Sequence, residues 1–87
     1  MKLIYCPKCK DVFRLFFKHR SCKCGESGGY YEPDGLTAVI NGKGIPIGFT
    51  NEGFALAIKN RPDEDIFGGF LFDAFVIPKK CETVKYI

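Results

Sequence analysis

Five cysteines punctuate this 87-residue chain, and four of them fall in two close pairs. Cys6-Pro7-Lys8-Cys9 is a C-x2-C pair and Cys22-Lys23-Cys24 a C-x-C pair, with 12 residues between them. Thiolates are the soft ligands that zinc favours, and a closed tetrahedral site takes four of them at roughly 2.3 Å. A cysteine pair on a tight turn can supply two ligands while turning backbone amides toward the sulfurs. Pro7 stiffens the first turn, and Gly25 permits the backbone curl that the second requires. The expectation is one structural Zn2+ per chain, held by Cys6, Cys9, Cys22 and Cys24. Iron would use the same thiolates, two disulfides would require export, and a redox dithiol at Cys6 and Cys9 would need a βαβ context that is missing here. His19 could replace Cys22 or Cys24, but at the end of a basic stretch it reads rather as a solvated or outer-sphere group. Cys81 stands 57 residues beyond Cys24 and reads as a buried or idle thiol, since nothing nearby in sequence would lower its pKa.

The stretch CPKC…SCKCG resembles the zinc-ribbon class of short metal-stapled hairpins, over residues 3–32. That resemblance implies a shape, and ribbons use the shape for nucleic acid, for protein contacts or for stability alone. The one-residue gap between Cys22 and Cys24 departs from the common CxxC second knuckle. The segments SGGYY, GIPIGFTN and FDAFVIP further resemble those of small bacterial or phage proteins that begin with such a ribbon, a likeness that implies no particular activity.

Charge is unevenly spread. Residues 1–24 carry Lys2, Lys8, Lys10, Arg14, Lys18, Arg20 and Lys23 against the single acid Asp11, while the whole chain is only +3. A solvated surface is the plain reading of such a run. The alternative is contact with DNA or RNA through Lys8, Lys10, Arg14, Lys18, Arg20 and Lys23, with Phe16 able to stack on a base.

The elements that must position these groups follow from periodicity. Phe13, Leu15 and Phe17 alternate with Arg14, Phe16 and Lys18, predicting a strand at about 12–18. Glu26 to Gly29 reads as a loop, Tyr30-Tyr31-Glu32 as a third ribbon strand, and Pro33-Asp34-Gly35 as a turn. Leu36–Ile40 and Ile45–Phe49 flank Asn41-Gly42, the strongest short-range hairpin signal in the chain, and Pro46 should place its strand at an edge or end it early. Thr50 or Asn51 caps a short helix with Phe54, Ala57 and Ile58 on one face, stopped at Asn60-Arg61-Pro62. Phe70 to Ile77, apolar on both faces apart from Asp73, predicts a central strand, and the tail from Cys81 adds a weaker one. Phe67, Phe70, Phe72 and Phe75 read as core, and Asp73 as an exposed strand position. The fold class expected is α+β, mainly β: a zinc ribbon at 1–32 packed on a β-rich remainder at 33–87 with one short helix.

Catalytic constellations fail. Gly42-Lys43-Gly44 lacks the Ser or Thr and the upstream glycine of a phosphate loop, so a turn is the better reading. Ser21 and Ser27 sit in a knuckle and a glycine loop with no oxyanion site. Asp63-Glu64-Asp65 points three carboxylates in different directions and reads as a solvated loop. With 46% apolar and 15% aromatic residues the chain can build a core and still spare rings for an interface. No window approaches the ~20 apolar residues of a membrane helix, and MKLIYC is too short for the apolar core of a signal peptide, so a soluble cytoplasmic protein without membrane contact is expected. The functional expectation is a non-enzymatic protein, a regulator or phage-type inhibitor, that contacts a protein partner or a second copy of itself. Nucleic-acid binding by the ribbon and a role as an enzyme's accessory subunit are the alternatives.

Overall fold

The computed structural model describes residues 1–65 and 68–87. The fold is mostly β, with eight short strands in two sheets and a single helix among the described residues: β1 (Lys2–Tyr5), β2 (Val12–Arg14), β3 (Arg20–Ser21), β4 (Ser27–Tyr31), β5 (Ala38–Gly42), β6 (Ile45–Phe49), α1 (Asn51–Lys59), β7 (Ala74–Val76) and β8 (Val84–Tyr86). One sheet runs β2-β1-β6-β7 and the other β3-β4-β5-β8. All neighbours are antiparallel except β5 and β8, which pair in parallel. One apolar cluster draws Ile4 and Phe13 from the first sheet and Ala38, Ile40 and Val84 from the second, so the sheets share a core.

The residues at Asn41-Gly42 do not make the expected hairpin. β5 and β6 are both formed, yet they lie in different sheets and do not pair. Only Gly42 has positive φ, at 72°, whereas Asn41 remains in the strand opposite Gly28. The chain then passes Gly44, where a Cβ would stand 2.8 Å from Ile4 Cγ2 and 3.1 Å from Ile40 Cγ2. The backbone therefore crosses between the sheets at a point too crowded for any side chain. The reason lies in the N-terminal third, whose hairpins β1–β2 and β3–β4 each offer a free edge. β6 takes the edge of β1 over Ile45–Gly48 and β5 takes that of β4 over its full length, satisfying far more backbone groups than one isolated hairpin would.

Pro46 consequently sits in a strand with neighbours on both sides, against expectation. Its missing amide falls opposite Ile77, just past the end of β7; Ile77 N donates to Pro46 O at 3.0 Å, and the ladder stops there.

The predicted strand at 12–18 is shorter. It ends at Arg14, because buried Leu15 turns inward onto Gly29, with its Cδ2 3.2 Å from where a Gly29 Cβ would lie. The expected Glu26–Gly29 loop instead belongs to β4 from Ser27 onward. Gly28 and Gly29 suit that central position, since a Cβ would come within 2.8 Å of Arg20 O at Gly28 and 2.6 Å of Val39 O at Gly29. The Pro33-Asp34-Gly35 turn forms as read. Gly35 N donates to Glu32 O, and Asp34 Oδ1 accepts from the amides of Leu36 and Thr37.

The helix begins as its sequence requires. Thr50 is the N-cap, accepting from Gly53 N through Oγ1 at 3.3 Å, and Asn60 closes the C-terminal end. Glu52 in the first turn and Lys59 in the last suit the helix dipole. Ala57 is buried and Phe54 half-buried, but Ile58, expected on the same face, is exposed. A larger correction concerns residues 70–77. Only Ala74–Val76 form a strand, β7, and it is an edge strand rather than a central one. Phe70, Leu71, Phe72, Phe75 and Val76 are all exposed, Leu71 at 90%, so the described phenylalanines of this run are not core. Phe67 lies outside the described residues. Asp73 is exposed, as expected, though it precedes the strand. The tail does add a strand, β8. No described helix is long and apolar enough to cross a membrane.

Candidate metal centre

The two cysteine turns lie at the ends of two hairpins. Cys6 follows β1 directly, and the turn to Lys10 is closed by Lys10 N donating to Cys6 O and Cys6 N to Asp11 O, both at 2.9 Å. Lys10 takes a left-handed conformation, φ 63°, to complete that curl. In the second turn Cys22 N donates to Ser27 O and Gly25 N to Cys22 O. Gly25, at φ 79° with open space around it, supplies the tight reversal that a one-residue gap demands. Two polar contacts tie the turns together. Asp11 Oδ2 accepts from Lys23 N at 3.1 Å, and Lys8 Nζ meets Glu26 Oε1 at 2.7 Å. The ion pair is solvent-exposed and adds orientation more than stability.

These turns bring the four predicted sulfurs of Cys6, Cys9, Cys22 and Cys24 within 4.8 Å of one another. Cys6 Sγ is 3.7 Å from Cys24 Sγ, and Cys22 Sγ is 3.4 Å from Cys24 Sγ. Ligands at roughly 2.3 Å from a tetrahedral ion stand about 3.8 Å apart, so the donor set fits an ion of zinc's size. Cys6 and Cys22 are buried, Cys9 half-buried and Cys24 exposed.

The electrostatics suit a cation. The amide of Cys9 and the Ser27 hydroxyl draw the Cys6 thiol down to about 6 against the cost of burial. At Cys22 burial opposes ionisation, but the Ser27 amide, which reaches its sulfur at 3.4 Å, and the Cys24 thiol outweigh it. The amide of Glu26 favours a Cys24 thiolate as well. Even so, Cys22, burial and the sulfurs of Cys9 and Cys6 hold its proton and push it up to about 12. Four thiols in mutual contact cannot all ionise by themselves, and a divalent ion supplies the charge that lets them do so.

Sequence reading missed Ser27, treated as a loop residue. Its hydroxyl is buried with no partner in strict hydrogen-bond geometry, yet it lies close enough to Cys6 to favour the thiolate. The signal was its position, three residues after Cys24 at the start of a glycine-rich strand. Asp11, the acid that bridges the turns, was likewise passed over.

Of the other candidates, His19 is outside the four-sulfur group; its Nε2 lies over Gly28, 2.8 Å from where a Cβ there would be. Cys81 is half-buried against the core, also outside the group, and its thiol is 3.4 Å from Thr83 Oγ1. Contrary to expectation, the Thr83 hydroxyl and amide lower its pKa. Lys8, Lys10, Arg14, Lys18, Arg20 and Lys23 are all exposed. Lys8 is paired with Glu26, and Arg20 donates through its guanidinium to Arg14 O at 3.0 Å. Phe16 is exposed beside Phe17, which is exposed as well, although it falls in the same alternating row as buried Phe13 and Leu15.

Compared with known proteins, this chain matches no family model, no curated protein and no solved structure.

Proposed function

We propose that this chain is a zinc-stapled, non-enzymatic interaction module that docks a protein partner through the apolar face between α1 and residues 68–72. The observation that carries the reading is the exposed run of Phe70, Leu71 and Phe72 beside exposed Ile58 on the helix. A cavity of about 540 Å³ lies between α1 and residues 68–72, with Phe54, Ile58, Phe70 and Phe72 in its wall. It is underpinned by a cluster of rings, in which Phe54 and Phe72 are 5.0 Å apart and Phe49 touches both. Side chains of this size, about half exposed, each leave on the order of 100 Å² in water. Four of them leave about 400 Å², the size of the largest patch on a typical monomer, which is often a functional one. The open edge of β7 adds unpaired backbone groups that a partner strand could bond.

The metal's part in this reading is structural. Cys6, Cys9, Cys22 and Cys24 would fill all four positions of a tetrahedral Zn2+, which leaves none for water or substrate and clamps the ends of the two hairpins. Zinc is the ion adopted in this reading because a closed set of four thiolates is its usual structural site, and elemental analysis distinguishes it from iron.

A photo-crosslinking side chain placed at Leu71, with Lys43 as an exposed control, tests the docking face in the native cell. The expected result is one defined protein adduct from position 71, absent from position 43 and lost in Phe70→Asp/Phe72→Asp. Identical adducts from both positions, or none, would overturn the reading. Elemental analysis should find about one zinc per chain.

A further inference from the structure

We infer that the loop between β2 and β3 binds single-stranded nucleic acid, stacking bases on Phe16 and Phe17 and holding phosphates with Arg14, Lys18 and Arg20. This site does not rest on the docking face, although the cavity beside it shares Phe54 with that face.

Two adjacent aromatic rings stand in water here, Phe16 at 53% and Phe17 at 56% exposure. They are not loose. Leu15, buried at 1%, anchors the loop beneath them, and Tyr31 N donates to Phe16 O at 2.8 Å, which fixes its backbone. Phe17 leans on Tyr31 with ring centroids 6.2 Å apart, and Phe16 meets Phe17 edge-on at 6.0 Å. A cavity of about 510 Å³ opens beside them, lined by both rings with Tyr31, Arg14 and Lys2. That volume lies in the range of small-ligand sites, and the rings are held in place before anything binds, so little ordering entropy remains to be lost.

The charge around the rings selects the ligand. Arg14, Lys18 and Arg20 are exposed, and none takes part in either of the two ion pairs found among the described residues. Among the described residues no acid lines the cavity, and Asp34, in the turn just before its lining residues Gly35 and Leu36, already has both oxygens occupied by Leu36 and Thr37. An apolar protein partner would leave these cations desolvated and unpaired, whereas an acidic peptide would pair them and leave the rings without flat partners. A single strand offers both things at once, because each nucleotide carries one phosphate and one base face. In a duplex the base faces are stacked on one another and unavailable to Phe16 and Phe17.

The test is fluorescence anisotropy of the full, metal-loaded chain with labelled oligo-dT and oligo-U of about 20 nucleotides. Micromolar binding is expected at ~50 mM salt, and three phosphate contacts should weaken it roughly 15- to 20-fold at ~200 mM. Phe16→Ala and Phe17→Ala should each lose about fivefold or more, while Phe16→Tyr and Phe17→Tyr retain binding. Leu71→Asp should bind the strand like the parent chain, which separates this site from the docking face. Unchanged thermal melting of the alanine variants shows that they remain folded. Three results would each overturn the inference: no anisotropy change at ~50 mM salt, equal affinity for duplex with no effect of the alanine variants, or equally good competition by poly-glutamate.

Discussion

Gly44→Ala tests the crossover between the sheets more sharply than any other substitution. Gly44 does not have positive φ, so alanine fits the backbone and the perturbation is purely steric. The new Cβ would lie 2.8 Å from Ile4 Cγ2 and 3.1 Å from Ile40 Cγ2, against about 3.5–4.0 Å for an ordinary carbon contact. Both isoleucines are fully buried, at 0% exposure, so neither methyl can swing into solvent. Overpacking of this kind costs about 1–3 kcal/mol. Set against the ~4–13 kcal/mol typical of a chain this long, that is a large share, and it corresponds to a fall in Tm of roughly 5–20 °C. Were residues 41–44 an ordinary exposed hairpin tip, the same change would instead be neutral or stabilising by about 0.4–1 kcal/mol through the unfolded chain. The two architectures therefore predict opposite signs. Denaturant titration followed by circular dichroism measures the difference. Ile4→Leu, which removes the γ2 methyl, should recover part of the loss when combined with Gly44→Ala. A Gly44→Ala chain as stable as the parent, or more so, would refute the crossover and the packing around it.

Other perturbations address the site and the turns. If the four cysteines hold zinc as proposed, a strong chelator should unfold the chain at room temperature, because a four-thiolate zinc supplies about 10–16 kcal/mol, comparable with or above the whole stability of such a domain; a chelated chain with native circular dichroism would contradict this. Asp34 is held down at about 2, first by the Thr37 amide and then by the Leu36 amide and the Thr37 hydroxyl, against an ordinary 3.8. A depressed carboxylate stabilises the fold above its unfolded value, and that contribution disappears as pH falls from about 4 through 2. Because acid also protonates the four thiolates and releases a bound ion, the test is made at neutral pH, where Asp34→Asn should lower the denaturant midpoint and an unchanged midpoint would contradict the reading. Thr50→Ala removes the N-cap oxygen from Gly53 and should cost about 1 kcal/mol by denaturant titration, with Thr50→Ser recovering most of it.

How far this molecule can be read from its residues depends on the range of the interaction concerned. Local chemistry was legible. The C-x2-C and C-x-C spacings point to four sulfurs that the structure does bring together, since each pair is positioned by a turn a few residues long. The Thr50 cap and the Pro33-Asp34-Gly35 turn follow from hydrogen bonds that span two or three residues. The mainly β class was legible from the alternating apolar pattern. Asn41-Gly42 misled because a hairpin signal is local, while strand pairing is decided by which edges are free. Those edges belong to β1 and β4, up to 46 residues away in the β1–β6 register. Phe70 to Val76 misled for a related reason. An apolar run shows that a segment resists water, but only the tertiary arrangement decides whether this chain covers it. Here β7 falls at the end of a four-strand sheet, with nothing among the described residues beyond it. Sequence alone thus determined the chemistry that short turns can organise, and tertiary structure decided strand partnership and exposure, because both depend on surfaces contributed by distant parts of the chain.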